Sequence, residues 1–224
     1  MSNVELVLVI ERIELANQGI GTDGIYPFEL ASLNHVVPQF HMRSLLDNKT
    51  DEMVEFGLKY PQLISYYVLN DQEGKIFAYR RKGKEEGLLG KWSIGIGGHI
   101  DHTDMQHAGD TVAVIAMNSF KRELKEEVNL DKITPLTKAR LIATLADTTS
   151  KVHVGYTQTL SVNPDELVYE PAEFNEVKWL SPDELKFFAK TNEFETWSQL
   201  LIDEIKGRGC DANINWVDEA PYVR

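Results

Sequence analysis

Two short stretches carry residues whose types and spacing could do chemistry. Arg122-Glu123-Leu124-Lys125-Glu126-Glu127 gathers three carboxylates and a guanidinium, and Gly95-Ile96-Gly97-Gly98-His99-Ile100-Asp101 places adjacent glycines before it. The first stretch lies in a pattern that predicts a long helix. Asp110 or Thr111 serves as N-cap, apolar residues recur at Ala113, Ala116, Met117, Phe120, Leu124 and Val128, and Asn129 suits a left-handed C-terminal position. With residues advancing about 100° each and Phe120 at zero, the apolar positions fall within roughly −40° to +80°. Glu127 falls at about −20°, on the apolar stripe; Glu123 at about −60°, on its edge; Glu126 at about −120°. Glu123 and Glu127 are i, i+4 neighbours that repel when both are ionised, and burying an unpaired carboxylate is costly. A hard divalent cation with oxygen ligands offsets that cost; Mg²⁺ accepts few carboxylates and keeps waters and phosphate oxygens. The plain alternative is a solvated acidic face with Lys125 and Arg122 as surface partners. It accounts for Glu126 well and Glu127 poorly.

Adjacent glycines let a backbone approach a ligand or adopt positive φ. The turn could therefore offer carbonyls to a metal or amides to a phosphate. A bulge or tight bend in a strand is the alternative. The G-x-G-x-x-G spacing of a dinucleotide fingerprint is not met. His99-Ile100-Asp101-His102-Thr103-Asp104 holds good metal ligands, but it lacks the first His of the H-x-H-x-D-H pattern of metallo-β-lactamase-like hydrolases and reads as a polar loop near the site. Arg80 and Arg81 end a strand that would neighbour the glycine turn. One of them can hold a substrate phosphate, and alternation sends the other to the surface. His153 reads as a packing histidine within a strand.

The elements that must position these residues are an alternation of strands and few helices. Residues 4–10, 64–69, 75–81, 140–147, 151–162 and 176–180 read as strands, with a turn at Asn70-Asp71-Gln72-Glu73-Gly74, and 92–100 is an apolar run that holds Gly95, Gly97 and Gly98. Residues 50–59 read as a short helix and 194–206 as a final amphipathic one, while Ser181-Pro182-Asp183-Glu184 opens another with a Ser cap, Pro and first-turn acids. The pattern implies an α/β fold with a mixed sheet covered by helices.

The chain has 224 residues, 42% apolar and 26% charged, which suits one globular domain with an extension. Lys plus Arg total 23 against 35 Asp plus Glu, a net charge of −12. Such a balance argues against nucleic acid or an anionic membrane as partner, because phosphate attraction needs excess Lys and Arg. A single cysteine, Cys210, excludes an internal disulfide and an all-Cys zinc site. The N-terminus lacks a basic region and a signal-peptide core, and no stretch approaches the roughly 18 apolar residues of a membrane span. A cytoplasmic protein is expected.

Together the two stretches resemble the Nudix box, G-x5-E-x7-R-E-U-x-E-E-x-G-U with U aliphatic. Gly98 is the opening glycine, and Arg122 to Leu130 matches the second half with Asn129 in place of glycine. Gly90-Lys91-Trp92-Ser93 and Val177-Lys178-Trp179-Leu180-Ser181-Pro182-Asp183-Glu184-Leu185 look like the family's flanks, so the resemblance covers roughly residues 62–205. It is similar to a MutT-like branch of predicted phosphoesterases, a label that assigns no substrate. Asp104 stands where the first glutamate belongs, and seventeen residues rather than seven separate it from Arg122, a ten-residue insertion placed in the loop 101–110. Asp101 and Asp110 are the other candidates for Arg122's partner.

The resemblance implies an α/β/α sandwich over residues 61–207, an N-terminal extension over 1–60 that could cover the site or form a dimer interface, and a tail over 208–224. It implies hydrolysis of a nucleoside diphosphate linked to another group, with Mg²⁺ or Mn²⁺. Glu123, Glu126 and Glu127 match the metal-binding glutamates, the Gly97 carbonyl is a further ligand, and Arg122 orients the glutamates. Glu126 or Glu127 is the first choice of general base. Glu173 is the second, from a loop that also holds Glu170 and Glu176, for which plain surface acid is the simpler reading of each. Two rivals accompany this reading: a non-catalytic nucleotide-sensing module, and a phosphatase centred on His99–Asp104. Isopentenyl diphosphate isomerase chemistry needs a cysteine near the box, and Cys210 lies far beyond it.

Overall fold

The computed structural model describes residues 4–46, 49–82, 87–132, 134–169 and 174–207. The tail 208–224 with Cys210, and the loop residues Glu170 and Glu173, lie outside the described residues. The strands are β1 (Leu6–Val9), β2 (Gly24–Pro27), β3 (Gln39–Met42), β4 (Gln62–Asn70), β5 (Ile76–Arg81), β6 (Trp92–Ser93), β7 (Gly95–Ile96), β8 (Thr134–Pro135), β9 (Arg140–Ala143), β10 (His153–Ser161) and β11 (Phe174–Leu180). The helices are α1 (Arg12–Asn17), α2 (Asp51–Lys59), α3 (Val112–Val128), α4 (Pro182–Phe188) and α5 (Thr196–Gly207). None among the described residues is long and apolar enough to cross a membrane.

The sequence of β4, QLISYYVLN, is apolar almost throughout, and all nine residues are buried. Such a run belongs at the centre of a sheet covered on both faces. β4 pairs in parallel with β10 along its whole length, from Gln62 opposite His153 to Asn70 opposite Ser161. The sheet runs β11-β5-β4-β10-β9-β2 and is otherwise antiparallel. Alternation then divides the core. Leu63, Tyr67 and Leu69 face Phe120 and Leu124 of α3, whereas Ile64, Tyr66 and Val68 face Trp197, Leu201 and Ile202 of α5. Tyr67 stacks on Phe120 with ring centroids 3.5 Å apart. The result is the α/β/α arrangement with a curled mixed sheet that the sequence led us to expect.

Residues before β4 are tied into the same sheet. β1 pairs with β3 and, at Val9, with Gln62 of β4, while β2 pairs with β9. β1 also braces the loop after the glycine turn: the Leu8 amide donates to the Ile100 carbonyl at 2.8 Å, and Val7 bridges Asp101.

The apolar run 92–100 forms two short strands and an isolated bridge at His99. The cause is steric: a Cβ on Gly95 would lie 2.0 Å from the Tyr66 ring, and Gly97, at φ +140°, packs against the Ser65 carbonyl. The strand expected over 140–147 stops at Ala143, because Asp147 turns the chain. Thr111, not Asp110, caps α3, its hydroxyl accepting from the Val114 amide at 3.4 Å. The far end of α3 is as expected: Asn129 sits at φ 54°, its amide donates to the Lys125 carbonyl, and the Leu130 amide donates to the Leu124 carbonyl.

Left-handed backbone costs an ordinary L-residue about 1–2 kcal/mol and glycine nothing. Asn129→Gly is therefore expected to match or exceed the wild type in stability. Asn129→Val should lose about 1–2 kcal/mol, read as a shifted midpoint in urea unfolding with an unchanged slope.

Candidate active site

The C-terminal half of α3 is organised by Arg122. Its Nε and Nη2 donate to the two carboxylate oxygens of Asp104 at 2.9 and 3.0 Å, a bidentate fork. Nη2 also reaches the His99 carbonyl at 3.2 Å and Ser119 Oγ at 3.3 Å. Asp104 is 4% exposed and takes the place of the first glutamate of the box. The insertion does not carry it away, because aspartates fold the loop back in two tight steps. Asp101 accepts from the Thr103 amide while the Asp104 carboxylate accepts from the Asp101 amide, a reciprocal cap of the short 3₁₀ turn His102–Asp104. Asp110 accepts from the Gln106 and His107 amides, both at 2.9 Å. Asn118 of α3 then holds the Asp104 carbonyl at 3.0 Å. A shorter side chain suffices because the backbone itself is brought to the arginine.

The third guanidinium nitrogen, Nη1, engages Glu123 at 2.7 Å and Glu126 at 3.1 Å. Glu123 is only 12% exposed at its side chain, whereas Glu126 is 59% exposed. Burial pushes the Glu123 carboxyl above its ordinary value, and Arg122 pulls it partly back. Glu127 is half-buried; burial raises the Tyr79 phenol, Arg81 opposes it, and the Glu127 charge adds to it. Glu123 lies against the glycine turn: a Cβ on Gly98 would be 2.9 Å from its carboxylate oxygen. The Gly98 carbonyl accepts from the Ser65 amide and hydroxyl at 3.1 and 3.2 Å, which fixes the turn on β4.

The donor chemistry fits a hard divalent cation. Carboxylate oxygens gather beside a turn that only glycine can form, and the Glu123 carboxyl is destabilised as an anion by its burial. Among the described residues no three His, Cys, Asp or Glu side chains already converge on one point. Arg122 holds two of the glutamates, so loading a cation requires them to exchange that contact.

Gly97 and Gly98 also border a cavity of about 100 Å³ on the α5 side of the sheet, whose wall includes Arg81, His99, His153 and Trp197. The two arginines part as alternation demands. Arg81 lies in the cavity wall, its Nη1 3.4 Å from Tyr79 Oη and 3.6 Å from Glu195. Arg80 is exposed and donates to the Gly90 carbonyl at 2.9 Å. Glu195, 6% exposed, is shared by Tyr66, Ser93 and Ser198. Burial and then the Glu195 charge hold the Tyr66 phenol protonated far above its ordinary range. His153 Nδ1 meets the Thr149 carbonyl at 2.6 Å, and the two Nε2 atoms of His99 and His153 face each other at 3.3 Å. Burial, then the neighbouring His153, keeps His99 well below its ordinary pKa and neutral.

The histidine loop does not converge on one point. His99 turns to His153, His102 pairs with Asp101 at 3.0 Å, and Asp104 serves Arg122. Glu176 is exposed on β11 and pairs with Lys178 at 2.8 Å. Sequence reasoning missed Glu195, Trp197, Tyr66 and Asp147. Only Asp147 left a trace, in the turn-forming run Asp147-Thr148-Thr149-Ser150. Tyr66 and Ser93 meet Glu195 across 129 and 102 residues, a pairing no local pattern encodes.

A family model for the NUDIX domain matches residues 61–201. The chain is 32% identical over 208 residues to protein YmaB of Bacillus subtilis (strain 168), covering 89% of this chain and 96% of that one. The crystal structure of Tm1382, a candidate Nudix hydrolase, superposes with a TM-score of 0.65 at 20% identity, over 90% of this chain and 98% of that one. The NUDIX domain of Shewanella oneidensis NrtR, solved with ADP-ribose, gives a TM-score of 0.46 at 19% identity over 65% and 86% of the two chains. The chain belongs to the Nudix family and has the fold of a Nudix hydrolase.

Asp104→Asn keeps shape and removes charge, leaving Arg122 without its anionic partner; the expected loss of stability is about 1.5–3 kcal/mol in urea unfolding. A second expectation concerns acid. Burial pushes the Asp147 carboxyl up, but hydrogen bonds from Thr196, Ser150 and Thr149 outweigh it and bring the net value below 3.8. The stability Asp147 contributes is therefore complete above that ordinary value and lost as pH falls through the lowered one. Asp147→Asn should flatten the acid limb of a Tm-against-pH curve while lowering Tm at neutral pH.

Proposed function

We propose that the chain hydrolyses a phosphoanhydride in a nucleoside diphosphate linked to another group, with Mg²⁺ or Mn²⁺ held by Glu123, Glu126, Glu127 and the Gly97 carbonyl. The observation that carries this reading is the Asp104–Arg122 fork, which holds the acidic end of α3 beside the Gly97–Gly98 turn despite the insertion in the box. When bound, the cation supplies charge neutralisation for the diphosphate and makes water more acidic.

The chain's own groups do the rest. Glu127 or Glu126 takes the proton from the attacking water, with Glu173 as second choice. Arg122 positions the glutamates through Nη1 and does not meet substrate. Arg81, at the junction of the glycine turn and the cavity, holds a phosphate oxygen, and the Gly98 backbone lies alongside. Arg80 is the weaker candidate for that contact, being engaged with Gly90 on the outer surface. A small phosphorylated partner requires that cation to offset the net charge of −12, and a cytoplasmic setting goes with the single cysteine.

One observation favours a second reading, a module that binds nucleotides without turnover: Arg122 Nη1 occupies both Glu123 and Glu126. Turnover decides between them. A panel of nucleoside triphosphates, ADP-ribose, dinucleoside polyphosphates, nucleotide sugars and coenzyme A is assayed with each metal for release of phosphate and pyrophosphate, and, with added phosphatase, for the phosphomonoester products. The expected outcome is metal-dependent turnover that falls about 10²–10⁴-fold in Glu127→Gln. Turnover untouched by that substitution sinks the assignment. No turnover, with thermal shifts induced by nucleotides, establishes the second reading instead.

A further inference from the structure

One buried charge has no part in the chemistry at α3. Glu195 is 6% exposed and immediately precedes α5. An ionised carboxylate at that depth is costly unless the groups around it answer the charge. Stability alone is a weak reason for it, since a buried ion pair often contributes no more than well-packed apolar residues of the same volume. The division of labour between its two oxygens gives it another use.

The backbone of Glu195 is pinned first. The Trp92 amide donates to the Glu193 carbonyl at 2.8 Å, and the Glu195 amide donates to the Trp92 carbonyl at 2.9 Å, so the approach to α5 is laid along β6. The side chain is pinned next, at one oxygen. Oε1 accepts from the Tyr66 hydroxyl at 2.5 Å and from the Ser93 hydroxyl, with Ser198 Oγ 3.2 Å away. Tyr66, Ser93 and Ser198 are all buried. With Oε1 fixed, Oε2 faces Arg81 Nη1 at 3.6 Å. That separation is an ion pair and is too long for a charge-assisted hydrogen bond, so Glu195 acts on Arg81 through charge. Among the described residues Arg81 is the one cation within ion-pairing reach of Glu195.

Arg81 is a long side chain with many rotamers, and it lies in the cavity wall next to Gly97 and Gly98. A fixed anion behind such a group selects the rotamers that keep its head at one place. The Glu195 charge also opposes an incoming phosphate. Holding Arg81 in place and repelling the anion therefore predict opposite signs for the effect of neutralising Glu195.

We propose that Glu195 is a positioning residue for phosphate recognition: anchored through Oε1 by the Tyr66 and Ser93 hydroxyls, it holds the Arg81 guanidinium through Oε2 at the junction of the cavity and the glycine turn, a role that rests on the reading of Arg81 as the phosphate contact.

Calorimetry with Mg²⁺ and methylenediphosphonate, whose P–C–P bridge resists hydrolysis, compares the wild type, Glu195→Gln, Arg81→Ala and the double variant. Glu195→Gln keeps the shape and an acceptor for the two hydroxyls and removes the charge. It should bind the diphosphonate roughly fivefold to tenfold more weakly, and Arg81→Ala at least about tenfold more weakly. In the Arg81→Ala background, Glu195→Gln should change affinity by less than about twofold, whereas a merely structural role gives losses that add. For a substrate that the wild type turns over, Glu195→Gln should raise KM by the same factor and leave kcat within about threefold. Tyr66→Phe removes one anchor of Oε1 and keeps the charge; it should repeat the Arg81-dependent loss at smaller size, and it decides the matter if Glu195→Gln does not fold. Unchanged or tighter binding in these variants, or additive losses, overturns the role of Glu195 alone, provided Arg81→Ala binds more weakly. If Arg81→Ala binds as tightly as the wild type, or the wild type does not bind the diphosphonate, the phosphate reading of Arg81 fails and the role of Glu195 fails with it.

Discussion

The bidentate contact between Arg122 and Asp104 is the constraint around which the site is arranged. A guanidinium has a fixed fork geometry, so two parallel bonds to one carboxylate define its plane as well as its position. With Nε and Nη2 committed to Asp104, Nη1 is aimed at Glu123 and Glu126, and the His99 carbonyl is drawn to the same group. The glycine turn, the inserted loop and the acidic end of α3 are thereby joined at one cation. Three separate stretches of chain lose their independence together, and a carboxylate buried at 4% exposure is tolerable because that cation answers it.

The sheet divides the labour. β4 and β10 run parallel through the middle, and their alternation gives α3 one face and α5 the other. The acidic residues belong to the α3 face and the aromatic cavity to the α5 face, and Gly97 and Gly98, where a Cβ would meet the Ser65 backbone or the Glu123 carboxylate, border the cavity beside them. Arg81 stands at this border, reaching Tyr79 on one side and Glu195 on the other. The N-terminal strand β1, through Leu8 and Val7, supports the loop that carries Asp104.

Much of this was legible from residue order. The α3 pattern, its Asn129 terminus, the Ser181 cap and the buried β4 run are local regularities, and each appears as expected. The helical spacing also set Glu123, Glu126 and Glu127 relative to one another. Glu123 and Glu127 are both half-buried, whereas Glu126 is exposed. The reason for a glycine at 95 lies outside the run 92–100, the Tyr66 ring lying where a side chain at Gly95 would stand.

What the sequence determined alone was periodicity and motif spacing: which helix carries the acids, which turn must be glycine, and the family to which the chain belongs. These follow from short-range geometry, which repeats along the chain. Tertiary structure alone decided which aspartate serves Arg122, which arginine enters the cavity, and that Glu195, Asp147 and Trp197 belong to the site at all. Asp101, Asp104 and Asp110 are chemically equivalent on paper; the folding of the inserted loop, where Asp101 and Asp110 cap turns, leaves Asp104 for the arginine. Contacts spanning more than a hundred residues, such as Tyr66 with Glu195, exist only once the sheet has brought their strands and helices together.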